Sequence, residues 1–177
     1  MKKILFILLG LICINLAINA SPCKWKEGDI IFQISKSKQS PLIHYATGSL
    51  WTHCGIIVFK KNKPFVLEAS NVVKLTPIDT WLQRGRGGIS ITKTVINNPI
   101  KINYKKYLGQ PYDMAFKFNN NKMYCSELVW IIYKEQFGIE LCKPKSISSY
   151  NTFGLKKIMK QRGISKNQLF VAPSDLL

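Results

Sequence analysis

The sequence predicts a single α+β domain, and three observations predict it. β-branched and apolar runs separated by turn residues gather in the middle of the chain, between about residues 29 and 96. Helical patterns lie mainly toward the two ends, and no repeat, low-complexity tract or linker interrupts residues 21–177. Strands grouped in this way, rather than alternating with long helices, argue for α+β over a wound parallel sheet.

The first twenty residues stand apart from that domain. Met1-Lys2-Lys3 is a charged start, Ile4 to Leu16 an apolar run containing Gly10, and Ala17-Ile18-Asn19-Ala20 a small-residue cleavage region, the pattern of a bacterial secretory signal. The run is short for a membrane span, so a retained anchor is the lesser alternative. Cys13 and Cys23 follow Ile12 and Pro22, where a lipoprotein site wants a small residue. Cleavage near Ala20 leaves 157 of the 177 residues, the size of one domain, with a periplasmic or secreted destination.

Within 21–177, Gly28-Asp29 opens a strand to Ile34, and residues 36–48 read as a short helix or loop. Thr52 to Lys60 is a β-branched strand, which Lys61-Asn62-Lys63 turns back into Pro64 to Ala69 as a hairpin. Residues 72–75 continue the sheet, 78–83 form a helical turn behind Pro77, and 89–96 form another strand. A helix over 100–108 ends at Gly109-Gln110-Pro111. Cys125 opens a helix that Gly138 stops, and a last helix spans about 151–162 before a segment at 169–172.

The formal net charge is +17, and +15 without Lys2 and Lys3. The chain holds 23 Lys against 3 Arg, scattered rather than clustered. Phosphate and base recognition favours the planar fork of Arg, so no nucleic-acid partner is expected. Most of the lysines read as a solvated face, with an anionic membrane or polymer surface as the remaining partner class. Four cysteines, 23, 54, 125 and 142, survive processing; two disulfides have three connectivities, and a free Cys125 leaves at most one bridge among the others. The chain has no C-x-x-C or H-x-x-x-H pair and only His44 and His53, so no metal or cofactor is expected.

A thiol at a helix start is a candidate nucleophile, because unpaired first-turn amides and the helix dipole favour thiolate. Cys125, Leu128, Val129 and Ile132 share one helical face, so the sulfur looks into the fold, a geometry that also suits a plain core cysteine. His53 is the candidate base. It enters a strand on which His53, Gly55 and Ile57 face one way and Cys54, Ile56 and Val58 the other. If the hairpin closes over 60–63, Glu68 comes level with residues 52–55, where its carboxylate could hold the imidazole.

Gly28-Asp29-Ile30, Thr52-His53-Cys54-Gly55-Ile56, Leu67-Glu68-Ala69, Tyr112-Asp113 and Tyr124-Cys125-Ser126-Glu127-Leu128 follow one another in that order. This order resembles the YiiX/YaeF-type permuted papain-like cysteine amidases, in which the cysteine helix follows the Gly-Asp and His-Gly strands instead of preceding them. The resemblance covers nearly all of 21–177. It implies a small antiparallel sheet packed against the nucleophile helix, and a Cys125–His53–Glu68 catalytic set cleaving amide, ester or thioester bonds through a thioacyl intermediate. A cell-envelope peptide, an acyl-amide or a lipid is the implied substrate. Cys54 departs from the pattern by standing where an apolar residue is expected, and His44 is a rival imidazole. Gln33 and the Cys125 amide are the candidate oxyanion donors, and Tyr124 is the candidate substrate-orienting aromatic. The alternatives are a lipid thioesterase or acyltransferase of the same fold, and a non-catalytic basic module that binds the envelope.

Overall fold

The computed structural model describes residues 25–177. The leader over 1–20 and Cys23 lie outside the described residues. Five strands, β1 (Ile30–Ser35), β2 (His53–Lys60), β3 (Lys63–Ala69), β4 (Val73–Pro77) and β5 (Gly85–Lys93), form one antiparallel sheet in the order β4-β3-β2-β1-β5. The β2–β3 hairpin turns on Lys61 and Asn62, both in the left-handed region at φ 50° and 59°, which matches the twist of the strands it joins. Helix α1 (Ser40–Thr47) links β1 to β2, and α2 (Ile78–Gln83) links β4 to β5.

Alternation along the strands makes two apolar faces. Ile30, Phe32, Cys54, Ile56, Val58 and Leu67 meet Leu128, Val129, Ile132 and Tyr133 of the long helix α3 (Cys125–Phe137). Ile31, Ile57 and Val66 meet Ile78 and Trp81 of α2. Each fully buried aliphatic or aromatic side chain contributes about 1.5–3 kcal/mol, so both layers hold the sheet flat against its helices. Beyond α3, a two-stranded sheet, β6 (Lys145–Ser146) with β7 (Leu169–Phe170), and α4 (Lys156–Arg162) enclose a second cluster of Phe116, Tyr124, Ile147, Met159 and Phe170.

Glycine sets two close approaches. A Cβ on Gly28 (φ 93°) would stand 2.3 Å from Ile100 Cδ1, and the Gly28 carbonyl accepts the Tyr133 hydroxyl of α3. Asp29 then accepts from the Lys26 amide at 3.0 Å and the Thr94 hydroxyl at 2.7 Å, tying the start of β1 to the chain beyond β5. On β2, a Cβ on Gly55 would stand 2.6 Å from the Leu67 carbonyl oxygen and 2.4 Å from Val66 Cγ1.

Three expectations are corrected. Over 100–108 only Lys105–Tyr107 makes a 3₁₀ turn. The helix ladder is replaced because the Ile102 amide donates to Glu27 and the Asn103 amide to Gln136. The last helix begins at Lys156 and not near 151, since the Asn151 amide is taken by the Ala46 carbonyl and Gly154 is left-handed at φ 71°. The strand expected over 89–96 runs over 85–93, because Gly85 lets the chain lie against Gln33 with a bulge between Gln33 and Ser35.

Gly55→Ala is expected to destabilise the fold by about 1–3 kcal/mol, the usual cost of forcing a methyl into a packed core. Thermal melts of the variant check this, and an unchanged melting temperature would mean β2 and β3 have room that the geometry denies.

Candidate active site

A built loop delivers Cys125. The Asp113 carboxylate accepts from the Ala115 amide at 2.9 Å, the Lys117 amide at 2.6 Å and Asn120 Nδ2 at 2.8 Å, coiling residues 113–120 around itself. Tyr112 bridges Met123, with the Asp113 amide on the Met123 carbonyl and the Met123 amide on the Pro111 carbonyl. That pairing fixes the approach to α3, and Cys125 is the helix's first residue, 2% exposed. Ser126 donates its hydroxyl to the Val171 carbonyl at 2.6 Å, and the Tyr124 amide donates to Glu127 Oε2 at 3.2 Å, closing the first turn.

His53 opens β2 as Cys125 opens α3. The two element ends meet, so the imidazole reaches the sulfur although its strand face points toward α2. His53 Nε2 bonds Glu68 Oε2 at 2.7 Å, which leaves Nδ1 for the sulfur. The ring lies on the Trp81 indole, with centroids 6.0 Å apart and planes 27° from parallel. Glu68 has no exposed surface, and its Oε1 accepts from Thr76 Oγ1 at 2.6 Å and from Arg84 Nη2. The hairpin register that pairs Ile56 with Leu67 carries Glu68 to the level of Gly55, two residues from His53 and on the same strand face, as the sequence predicted.

The charges follow from these contacts. Burial raises the Glu68 carboxyl, but His53, Thr76 and Arg84 outweigh it and hold the group down to about 2. Burial lowers the His53 imidazole, yet hydrogen bonds and attraction from Cys125 and Glu68 lift it to about 10. For Cys125 the largest influence is a hydrogen bond from Cys54; with the imidazole's bond and charge it overcomes burial and holds the thiol well below its ordinary range. Burial and the neighbouring sulfur push Cys54 well above its own, so it stays a thiol and donates. Both shifts favour the thiolate–imidazolium form of the pair.

Of the residues expected at the site, Cys125, His53 and Glu68 come together. Gln33 pairs with His53 across β1 and β2, is 1% exposed, and with His53 lines a hollow of about 470 Å³ that also touches Thr52, Ala69, Arg84 and Tyr112. Tyr124 is corrected as a substrate-orienting residue. It is 1% exposed, its hydroxyl accepts from the Val171 amide at 3.2 Å, and its ring packs among Phe116, Phe118 and Phe170. The aromatic that lines the cleft is Tyr112, twelve residues earlier. His44 is exposed and bonds the Ser49 carbonyl at 2.8 Å, so it is no rival base. Among the described cysteines, 54, 125 and 142 are all free.

Sequence reasoning missed Thr76, Arg84, Trp81 and the role of Cys54. The last had a usable signal: the strand face carrying Cys54 away from His53 is the face that packs on α3, where the other thiol stands. Nothing local marks Arg84, which reaches Glu68 only because α2 folds across the sheet.

Comparison with known proteins gives the family and the fold. Residues 24–174 match the family model of the permuted papain-like amidase enzymes, YaeF/YiiX, C92 family. Escherichia coli (strain K12) YiiX is 33% identical over 150 residues, covering 80% of this chain and 74% of its own. The crystal structure of YiiX from Escherichia coli O157:H7 superposes with a TM-score of 0.78 at 32% identity, covering 85% of this chain and 91% of that one. That neighbour is titled a metalloprotein. Among the described residues here, no three His, Cys, Asp or Glu side chains are grouped to hold a metal ion.

The buried acids set the expected pH response. Glu68, held down to about 2 from 4.5, adds stability that is complete above the unfolded value and lost as pH falls toward 2. Glu127, buried with Oε1 unpartnered and near Asp113, is pushed up to about 8. Its protonated form stabilises the fold below 4.5, and that contribution is lost as pH rises from 4.5 to 8. His53, raised to about 10 from 6.5, loses its contribution as pH climbs through 10. Among these groups the gain from Glu68 and the loss from Glu127 balance near pH 4.5, so melting temperature should peak there and decline on both sides. Glu127→Gln should flatten the decline between pH 5 and 8; melts in which wild type and variant keep the same slope there would contradict the assignment.

Proposed function

Since the chain belongs to the permuted papain-like amidase family and is thus a cysteine amidase or peptidase, we propose that Cys125 is its nucleophile, His53 its acid–base and Glu68 the carboxylate that orients His53. The observation that carries this reading is one imidazole shared by a fully buried carboxylate, at 2.7 Å, and by a sulfur at a helix start.

The Cys125 thiolate attacks the carbonyl carbon of an amide. The oxyanion rests on the Cys125 backbone N–H and the amide of Gln33, donors fixed before the charge develops. The His53 imidazolium gives its proton to the departing amine, leaving a thioester on Cys125 and a neutral ring. Water then gives a proton to His53 as its oxygen attacks the thioester, the C–S bond breaks, and the thiolate–imidazolium pair is restored. Glu68 keeps its charge throughout and holds the tautomer that presents Nδ1. Cys54 donates to the thiolate without entering the reaction. An ester or thioester substrate would follow the same course with an alcohol or thiol leaving.

The signal-like residues 1–20 and the basic surface support a secreted or periplasmic enzyme acting on a cell-envelope peptide or acyl-amide.

Cys125→Ala should abolish hydrolysis across a panel of peptide and N-acyl-amide substrates while leaving the fold intact by circular dichroism. His53→Ala should cost about 10³-fold or more in kcat, and Glu68→Gln less, because residues acting as a unit fail together. Mass spectrometry after iodoacetamide should find Cys125 labelled in the native protein at pH 6. Labelling that needs denaturant would make this a structural thiol and end the proposal.

A further inference from the structure

Native interiors pair their buried polar atoms, so a group of unpaired ones around a single hollow calls for a ligand. Among the described residues six buried side-chain polar atoms have no partner, and three of them, Gln33 Oε1, Ser70 Oγ and Arg84 Nε, belong to residues lining the cleft beside His53. Gln33 Oε1 is an acceptor and offers nothing to an anion; only the Nε2 of that amide can serve the oxyanion. The other two atoms can donate hydrogen bonds, and they share the cleft with Lys74.

Lys74 is half-buried on β4, and its ammonium makes no ion pair or hydrogen bond among the described residues. Its strand partner across the register is Glu68, whose two oxygens are taken by His53, Thr76 and Arg84. Lys36 adds a further cation, with Nζ on the Gln83 carbonyl at 3.0 Å, and no carboxylate lines the hollow. A cation held partly out of water gains most when an anion enters the same low-dielectric space.

We propose that this cleft selects substrates bearing a free carboxylate, seated by Ser70 and Lys74 beside the bond that Cys125 cleaves. The proposal rests on the hydrolase reading above and narrows its substrate to acidic amides such as N-acyl amino acids and peptides that end or branch in a carboxylate. The scattered surface lysines have no such arrangement, so a general basic character does not account for it.

The test compares alkylation of Cys125 by iodoacetate, an anion, and iodoacetamide, its neutral analogue, read by peptide mass spectrometry on the purified protein. Relative to glutathione under the same conditions, the iodoacetate-to-iodoacetamide rate ratio should be raised about tenfold or more, in the range that focused charge gives. Part of that comes from the His53 imidazolium, so the deciding comparison is Lys74→Glu, which should lower the ratio about tenfold, with Lys74→Gln intermediate and Lys157→Glu, on the exposed face of α4, at the wild-type value. N-acetylalanine should slow iodoacetamide labelling more than N-acetylalaninamide does. A ratio indifferent to Lys74, or equal protection by the two ligands, with Cys125 still reactive, overturns the carboxylate proposal alone. A Cys125 that neither reagent labels in the native protein overturns the hydrolase reading and this proposal together.

Discussion

A carboxylate with no exposed surface sits at the centre of this molecule, and the order of the surrounding elements serves to satisfy it. Glu68 would be untenable as an isolated buried charge, because desolvation alone costs several kcal/mol. Its partners come from three separate places: His53 at the start of β2, Thr76 near the end of β4, and Arg84 just past α2. Satisfying Glu68 therefore requires the hairpin register, the β3–β4 pairing and the docking of α2 to be right together. The imidazole is oriented as a by-product of that requirement, since Nε2 is held on Glu68 Oε2 and Nδ1 is left for the sulfur.

The second half of the site is held by a different device. Cys125 is placed by a loop wound on Asp113 and by the short pairing of Tyr112 with Met123, while α3 itself is pinned through Tyr133 to the Gly28 carbonyl. The Gly-Asp and Tyr-Asp pairs are thus structural: they hold the Cys125 helix and the His53 strand at a fixed separation. Two rigid attachments, one at each end of the contact, keep an ion pair close in a place where thermal freedom of either partner would weaken it.

The thiols show how burial and charge are reconciled here. Cys54 and Cys125 share one apolar layer, yet their protons are held apart in affinity, one pushed up and the other well down. The difference lies in what each can reach. Cys125 stands at a helix start beside an imidazole, whereas Cys54 sits within a strand and meets only its neighbour's sulfur, so it becomes the donor of the pair.

Periodicity and turn chemistry were legible in the chain. Alternation over 53–58 assigned the two faces of β2, Lys61-Asn62 fixed the hairpin and with it the height of Glu68, and the i, i+3, i+4, i+7 spacing from Cys125 oriented α3; each is a local rule with a short range. The helix expected over 100–108 failed because distant side chains, Glu27 and Gln136, took its amides. Tyr124 was misassigned because adjacency in sequence says nothing about which side of a helix start faces the cleft. By itself the sequence determined most of the element types and the hairpin register. Only the tertiary structure decided that Arg84, Thr76, Trp81, Tyr112 and Cys54 surround Cys125, His53 and Glu68, because those contacts join segments whose meeting depends on how the two apolar faces of the sheet are covered, a collective outcome of packing that no local pattern encodes.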